Sequence, residues 1–225
     1  LQDPWLPAVV DRLEAFDKPV IAAIHGTALG GGFEVALGAH YRCAVASAKV
    51  GLPEVMLGLL PGAGGTQRTP RLAGVEAALN LMTSGRPIPA AQAAQAGLVD
   101  RVIEGDLAEG AVAWAEELIG SGAAPRRTTE QTMPDFDDGV FDAFRAGLAK
   151  RAKNQIAPQF IVDCVEGATR LGIAEGMQLE REKFMELMEG EQSAALRHVF
   201  FAERAAAKVD DVPQDTPLRP LESVG

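Results

Sequence analysis

Val20-Ile21-Ala22-Ala23-Ile24 is apolar at every position, and four glycines follow within residues 26–32. A strand with one solvated face alternates apolar and polar residues; an unbroken apolar run reads instead as a strand buried on both faces. Such burial requires a sheet covered by helices. The glycines Gly26, Gly30, Gly31 and Gly32 read as a tight turn after that strand, and Val35 to Ala39 reads as a helix. The pattern then recurs. Tyr41 to Ala46 and Lys49 to Leu52 are extended, Pro53-Glu54 ends them, and a second glycine-rich loop spans residues 58–65. Helices are expected over Thr66 to Leu72 and Val75 to Thr83. The helix 5–16 before the first strand ends at Asp17-Lys18-Pro19, because proline disfavours α geometry in the residue before it. The fold class is α/β.

The first unit extends over residues 1–120. Within it Pro89 to Ala96 is a short helix stopped by Gly97, Leu98 to Ile103 is strand-like, and Asp106 caps a helix over 107–119. Residues 121–139 are rich in Gly, Pro, Thr and Asp and read as a loop or linker. A helical region, 140–209, follows, with segments near 140–152, 158–171, 174–189 and 191–208. Residues 210–225 have no periodic pattern and read as an extended linker. With 225 residues, 47% of them hydrophobic, the chain can build one sizeable core with a smaller helical appendage.

The formal net charge of −10 argues against a nucleic-acid partner, which needs a basic stripe, and against an anionic membrane surface. No apolar run reaches membrane-spanning length, and no signal peptide is visible. Cys43 and Cys164 lie far apart and form no metal-spaced cluster, so no metal is expected. Two reduced, buried thiols point to a cytoplasmic protein. A small anionic substrate remains compatible, since backbone N–H groups and a few local cations can hold one.

Glu34 and Glu54 each stand beside a strand end and a glycine-rich turn. Two carboxyls from adjacent loops can share proton transfers, one activating water while the other delivers a proton. The free N–H groups of the triple glycine can stabilise an anion such as an enolate-like thioester oxygen. No Gly-Lys-Ser/Thr follows, the glycine spacing is wrong for a dinucleotide fingerprint, and there is no Gly-x-Ser-x-Gly elbow. His25, His40 and His198 read as structural. Gln67 and Arg68 read as capping or surface-pairing residues, Arg126 and Arg127 as a solvated loop. Phe184, Met185, Met188 and Phe200-Phe201 read as helix packing.

The stretch 20–72, VIAAIHGTALGGGFEVAL…VGLPEVMLGLLPGAGGTQRTPRL, resembles the signature region of the enoyl-CoA hydratase (crotonase) family, and the resemblance continues through residues 84–102. Residues 177–208 resemble the hydratase part of multifunctional fatty-acid oxidation enzymes, which join it to a 3-hydroxyacyl-CoA dehydrogenase. The resemblance implies a spiral of β-β-α turns followed by a helical C-terminal region. It implies hydration of a trans-2-enoyl-CoA to a 3-hydroxyacyl-CoA in β-oxidation. Coenzyme A is then part of the acyl-CoA substrate, and no cofactor is needed. Glu34 matches the carboxylate that deprotonates water, and Glu54 the acid that protonates the α-carbon. Gly31 matches one oxyanion N–H donor, and Gly62 a backbone N–H that holds the water. Family members carry an additional N-terminal segment with the second oxyanion donor, in an Ala-Gly-x-Asp-like turn, and much of the coenzyme A pocket. Neither is found here, and the chain stops at Val224-Gly225, about where a dehydrogenase dinucleotide fold would begin, so the resemblance implies a chain cut at both ends. Expected partners are the acyl-CoA, a covalently linked dehydrogenase domain and, as in single-domain relatives, further copies in a homo-oligomer. Two alternatives stand beside hydration: Δ3–Δ2 enoyl-CoA isomerisation at the same site, and an incomplete fragment serving only binding or assembly.

Overall fold

A computed structural model describes residues 5–206 and Thr216. The reading of 210–225 as a linker therefore lies, Thr216 apart, outside the described residues. Helix α1 (Leu6–Glu14) has proline in its first turn, where the missing N–H costs nothing. Two strands and a helix follow: β1 (Ile21–Ile24), β2 (Thr27–Leu29) and α2 (Gly31–Leu37). The chain then repeats this unit with β3 (Tyr41–Val45), β4 (Lys49–Gly51), a 3-10 turn at Glu54–Leu57 and α3 (Gly65–Ala73). Helix α4 (Val75–Ser84), β5 (Ile88–Pro89), α5 (Ala90–Gln95), β6 (Arg101–Ile103) and α6 (Leu107–Gly120) complete the first part.

The repeats stack in register. Ile21 pairs with Tyr41 and Cys43 with Arg101, giving a parallel sheet in the order β1-β3-β6. Thr27 pairs with Lys49 in a second sheet, β2-β4-β5, whose last strand runs antiparallel. Each β-β-α turn thus adds one strand to each sheet. Alternation along β3 divides its side chains between two cores. Cys43 joins Ile103 and Trp114 under α6, whereas Ala44 faces the main core.

Four helices follow: α7 (Gly139–Arg151), α8 (Ala157–Arg170), α9 (Ile173–Glu189) and α10 (Glu191–Ala206). Ile161, Val162 and Val165 of α8 form a helical stripe, and they share one buried cluster with Phe33, Leu37, Leu79, Phe141 and Leu187. Residues 121–139 contain a 3-10 turn, Thr128–Glu130, whose Thr128 is buried. Among the described residues, no helix is long and apolar enough to cross a membrane.

Three departures from the sequence reading concern the first β-β-α unit. The strand expected to be buried on both faces is only partly so: Ile24 is buried and Ala23 exposed. Among the described residues β1 has one hydrogen-bonded neighbour, and an edge position leaves side chains open. Residues 27–29, read as part of a turn, form β2. Helix α2 begins at Gly31 rather than Val35 because the turn is completed by Gly30 alone, at φ +56°.

Candidate active site

Three segments meet here: the Gly30 turn into α2, the 3-10 turn after β4, and the loop 60–66 leading into α3. The first turn of α2 carries Glu34, which is 3% exposed. Its Oε1 accepts hydrogen bonds from the N–H groups of Ala63 (2.7 Å) and Gly65 (2.9 Å). Both bonds use one oxygen, so Oε2 is left for a ligand. A side chain at Gly65 would stand 2.8 Å from Glu34 Oε1, so the close approach requires glycine there.

Glu54 opens the 3-10 turn, whose left-handed end is Gly58. Its Oε1 lies against Gly30; a Cβ on Gly30 would sit 2.9 Å from that oxygen. Its Oε2 is buried and has no hydrogen-bond partner among the described residues. Buried carboxyl oxygens are ordinarily paired, so an orphan of this kind marks a place where a ligand group is expected. Burial first, and the Glu34 charge second, push Glu54 up to about 8. Burial also raises Glu34, against the Ala63 and Gly65 bonds and the positive charge of Arg68. The Glu34 anion therefore has more support than the Glu54 anion, which is helped only by its own backbone N–H. The proton of the pair belongs on Glu54, the negative charge on Glu34.

Gly31 is the first residue of α2, where a helix leaves its N–H without an internal acceptor. Leu6 of α1 packs directly over it: a Cβ at Gly31 would be 2.6 Å from Leu6 Cδ2. Gly62 lies beneath the Phe184 ring, where a Cβ would stand 2.5 Å from Phe184 Cδ2. The site thus gathers Glu34, Glu54 and the Gly30–Gly31 turn, with Gly62 one residue from the Glu34 contact at Ala63. Cys43 and Cys164 are free and buried, and burial raises both thiols. His40 is buried; its Nδ1 accepts from the Val20 N–H, and Nε2 lies 2.9 Å from the Glu14 carbonyl.

Two residues carry more of this region than their sequence context suggests. Arg68, expected at a surface, is 1% exposed. It pairs with Glu14 at 2.7 Å and Asp11 at 3.0 Å, and donates to the Ala63 carbonyl. Glu180 of α9 is 2% exposed. Its Oε1 accepts from the Gly64 N–H at 2.7 Å; its Oε2 accepts from the Thr66 N–H at 3.0 Å and hydroxyl at 2.5 Å. Burial, then the Glu34 charge, push Glu180 up to about 8. A signal for Glu180 existed in the sequence: it falls in the helical stripe Met177, Glu180, Phe184, Leu187, where an apolar residue is the norm.

A family profile described as "Enoyl-CoA hydratase/isomerase" matches residues 5–171. Curated relatives include the peroxisomal bifunctional enzymes of Danio rerio, 45% identical over 92% of this chain, and of Homo sapiens, 42% identical over 96%. The chain spans 29% and 31% of those two proteins. Among solved structures, a carnitinyl-CoA hydratase from Mycobacterium avium is 32% identical, with a TM-score of 0.56 over 84% of this chain and 61% of that one. The stacked β-β-α turns, the carboxyl-bearing loops and a profile match across most of the chain lead to one assignment: the chain belongs to the enoyl-CoA hydratase/isomerase family.

Proposed function

We propose that this chain hydrates trans-2-enoyl-CoA thioesters, with Glu34 as base and Glu54 as acid. The observation that carries the reading is Glu54: a buried oxygen without a partner, on a carboxyl that keeps its proton to about pH 8, beside the better-stabilised Glu34 anion. A water held at Glu34 Oε2 gives its proton to that oxygen while its own oxygen attacks the β-carbon. The electron pair of the double bond moves to the thioester oxygen, where the Gly31 N–H stabilises the enolate. Collapse of the enolate takes the Glu54 proton onto the α-carbon. Glu34 ends protonated and Glu54 ionised, and proton exchange through solvent resets them. Gly62 borders the water position. All bonds made and broken belong to water and the acyl thioester, so coenzyme A enters as part of the substrate and neither metal nor redox cofactor is required.

The relatives' names place them in peroxisomes, which supports that compartment for this chain over the cytoplasm. Their length, and the resemblance of residues 177–208, support a dehydrogenase domain linked to the same polypeptide.

The test is hydration of crotonyl-CoA by this chain and by the longest native form of the protein. Activity in both, falling by roughly 10²–10⁴-fold in Glu34→Gln and in Glu54→Gln, is expected for general acid–base roles. Binding without turnover in either form overturns the reading in favour of an assembly or binding module. Isomerisation is the second reading, favoured by the unpartnered Glu54 oxygen, since one carboxyl can remove and return a proton. Retained isomerisation of a 3-enoyl-CoA in Glu34→Gln, with hydration lost, would assign both reactions to this site.

A further inference from the structure

Four consecutive N–H groups, those of Ala63, Gly64, Gly65 and Thr66, are divided alternately between two buried carboxyls. Glu34 takes Ala63 and Gly65; Glu180 takes Gly64 and Thr66. Neighbouring N–H groups in this strip go to different carboxyls, so both glutamates hold it. Gly64 and Gly65 open α3, and Gly64, as its N-cap, has no side chain with which to cap it. The two glutamates supply the acceptors that a capping side chain would otherwise provide. Gly64 itself stands at φ +91°, a conformation that suits glycine alone.

Helix α9 also holds the residue that precedes the strip. Phe184, one turn beyond Glu180, presses on Gly62. The helix comes close enough to do this because Gly176 admits the Gln67 amide: a Cβ there would lie 2.2 Å from Gln67 Oε1. The two carboxyl oxygens of Glu180 face the three donors offered by Gly64 and Thr66, a span that a single hydroxyl does not reproduce. Burying a carboxyl is costly, and 2% exposure concentrates that cost on one function, holding the loop.

We propose that Glu180 is a positioning residue: from α9 it locks the 63–66 strip in the orientation that sets the Glu34 carboxylate for proton transfer. This inference rests on the reading of Glu34 as the base. Without Glu180 the strip is free to rotate about its axis, and the Ala63 and Gly65 N–H groups leave Glu34 Oε1. The carboxylate then loses its fixed direction, and misplacement of about 1 Å costs roughly 10²-fold in rate.

The test is a double-mutant cycle on the full native chain with crotonyl-CoA, using Glu180→Ala, Glu180→Gln, Glu34→Gln and the combination Glu34→Gln/Glu180→Gln. The expected result is a kcat per folded molecule reduced about 100-fold in Glu180→Ala and less in the isosteric Glu180→Gln, with KM within about twofold. In the Glu34→Gln background the Glu180→Gln change should cost nothing further, because both act through one group. Circular dichroism and melting curves give the folded fraction; if Glu180→Ala does not fold, Glu180→Gln decides alone. Unchanged kcat per folded molecule in Glu180→Gln overturns the proposal, as does a loss that multiplies with that of Glu34→Gln. Wild-type rates in Glu34→Gln would instead overturn the hydratase reading and the positioning role with it. Loss in Glu34→Gln without loss in the Glu180 variants overturns the positioning role only.

Discussion

Two carboxyls with the same intrinsic acidity are made different by their surroundings. Glu34 receives two N–H bonds and the field of Arg68; Glu54 has an unpartnered oxygen and the Glu34 charge nearby. The acid must be protonated to act, and Glu54 loses its proton as pH rises through about 8. The hydration rate should therefore fall on the alkaline side of pH 8, and a pH–rate profile flat to pH 10 would remove Glu54 from the role of acid. The same shift bears on stability. Unfolded, the carboxyl ionises near 4.5; folded, near 8. The unfolded chain thus sheds the proton first, and stability contributed by protonated Glu54 is present below 4.5 and lost as pH rises to 8. Denaturant titrations of Glu54→Gln across that window should show a shallower decline than wild type. Gly30 is the third residue of this group. Alanine there meets φ +56° and a carboxylate oxygen 2.9 Å from its Cβ. Gly30→Ala should lose about 1–3 kcal/mol of stability and most of its hydratase activity, measured by melting and by turnover.

At the scale of elements, the loops around the site are held by helix ends and buried ion pairs. Asp106 caps α6 by accepting from the Glu109 N–H at 2.9 Å, as its position before the helix predicts. Asp106→Ala should cost about 1 kcal/mol in denaturant titration with hydration unchanged, because α6 packs on the far side of the first sheet. The Arg68–Glu14 pair ties α3 to α1, and Glu14 Oε1 also accepts from the Thr129 N–H. Removing Arg68 leaves Glu14 buried without its counter-charge, with the Thr129 N–H as its remaining support. Arg68→Met should therefore destabilise by about 3–5 kcal/mol, seen as a lower melting temperature, and a change below 1 kcal/mol would show that Glu14 finds another partner. Helix positions were readable from the sequence because capping residues, proline and apolar spacing act over a few residues. The short strands β2 and β5 were not. Three residues and two residues are too few to display a period, and their pairing with β4 supplies the definition.

Across the whole molecule, one buried cluster runs from the β-β-α turns into α7, α8 and α9. Ile161 sits fully buried in it. Ile161→Ala should cost about 2–5 kcal/mol, and helical circular dichroism and tryptophan fluorescence should lose their signals in a single coincident transition. Two separated transitions would show that α7–α10 form an independent unit. The chain's order of apolar run, glycine turn and helix determined the α/β class, since it depends on burial and conformational preference within about ten residues; the β-β-α spiral was implied by the resemblance of residues 20–72 to the family. The motifs around Glu34 and Glu54 likewise marked the family and the two carboxyls. Only the tertiary structure decided that Arg68 is buried, that β1 is partly open, and that Glu180, more than a hundred residues from the loop, closes on Gly64 and Thr66. The physical reason is that these features depend on what distant parts of the chain bring alongside: a polar group is tolerated in the interior only where donors and acceptors face it, and a strand is covered only where neighbours pack on it.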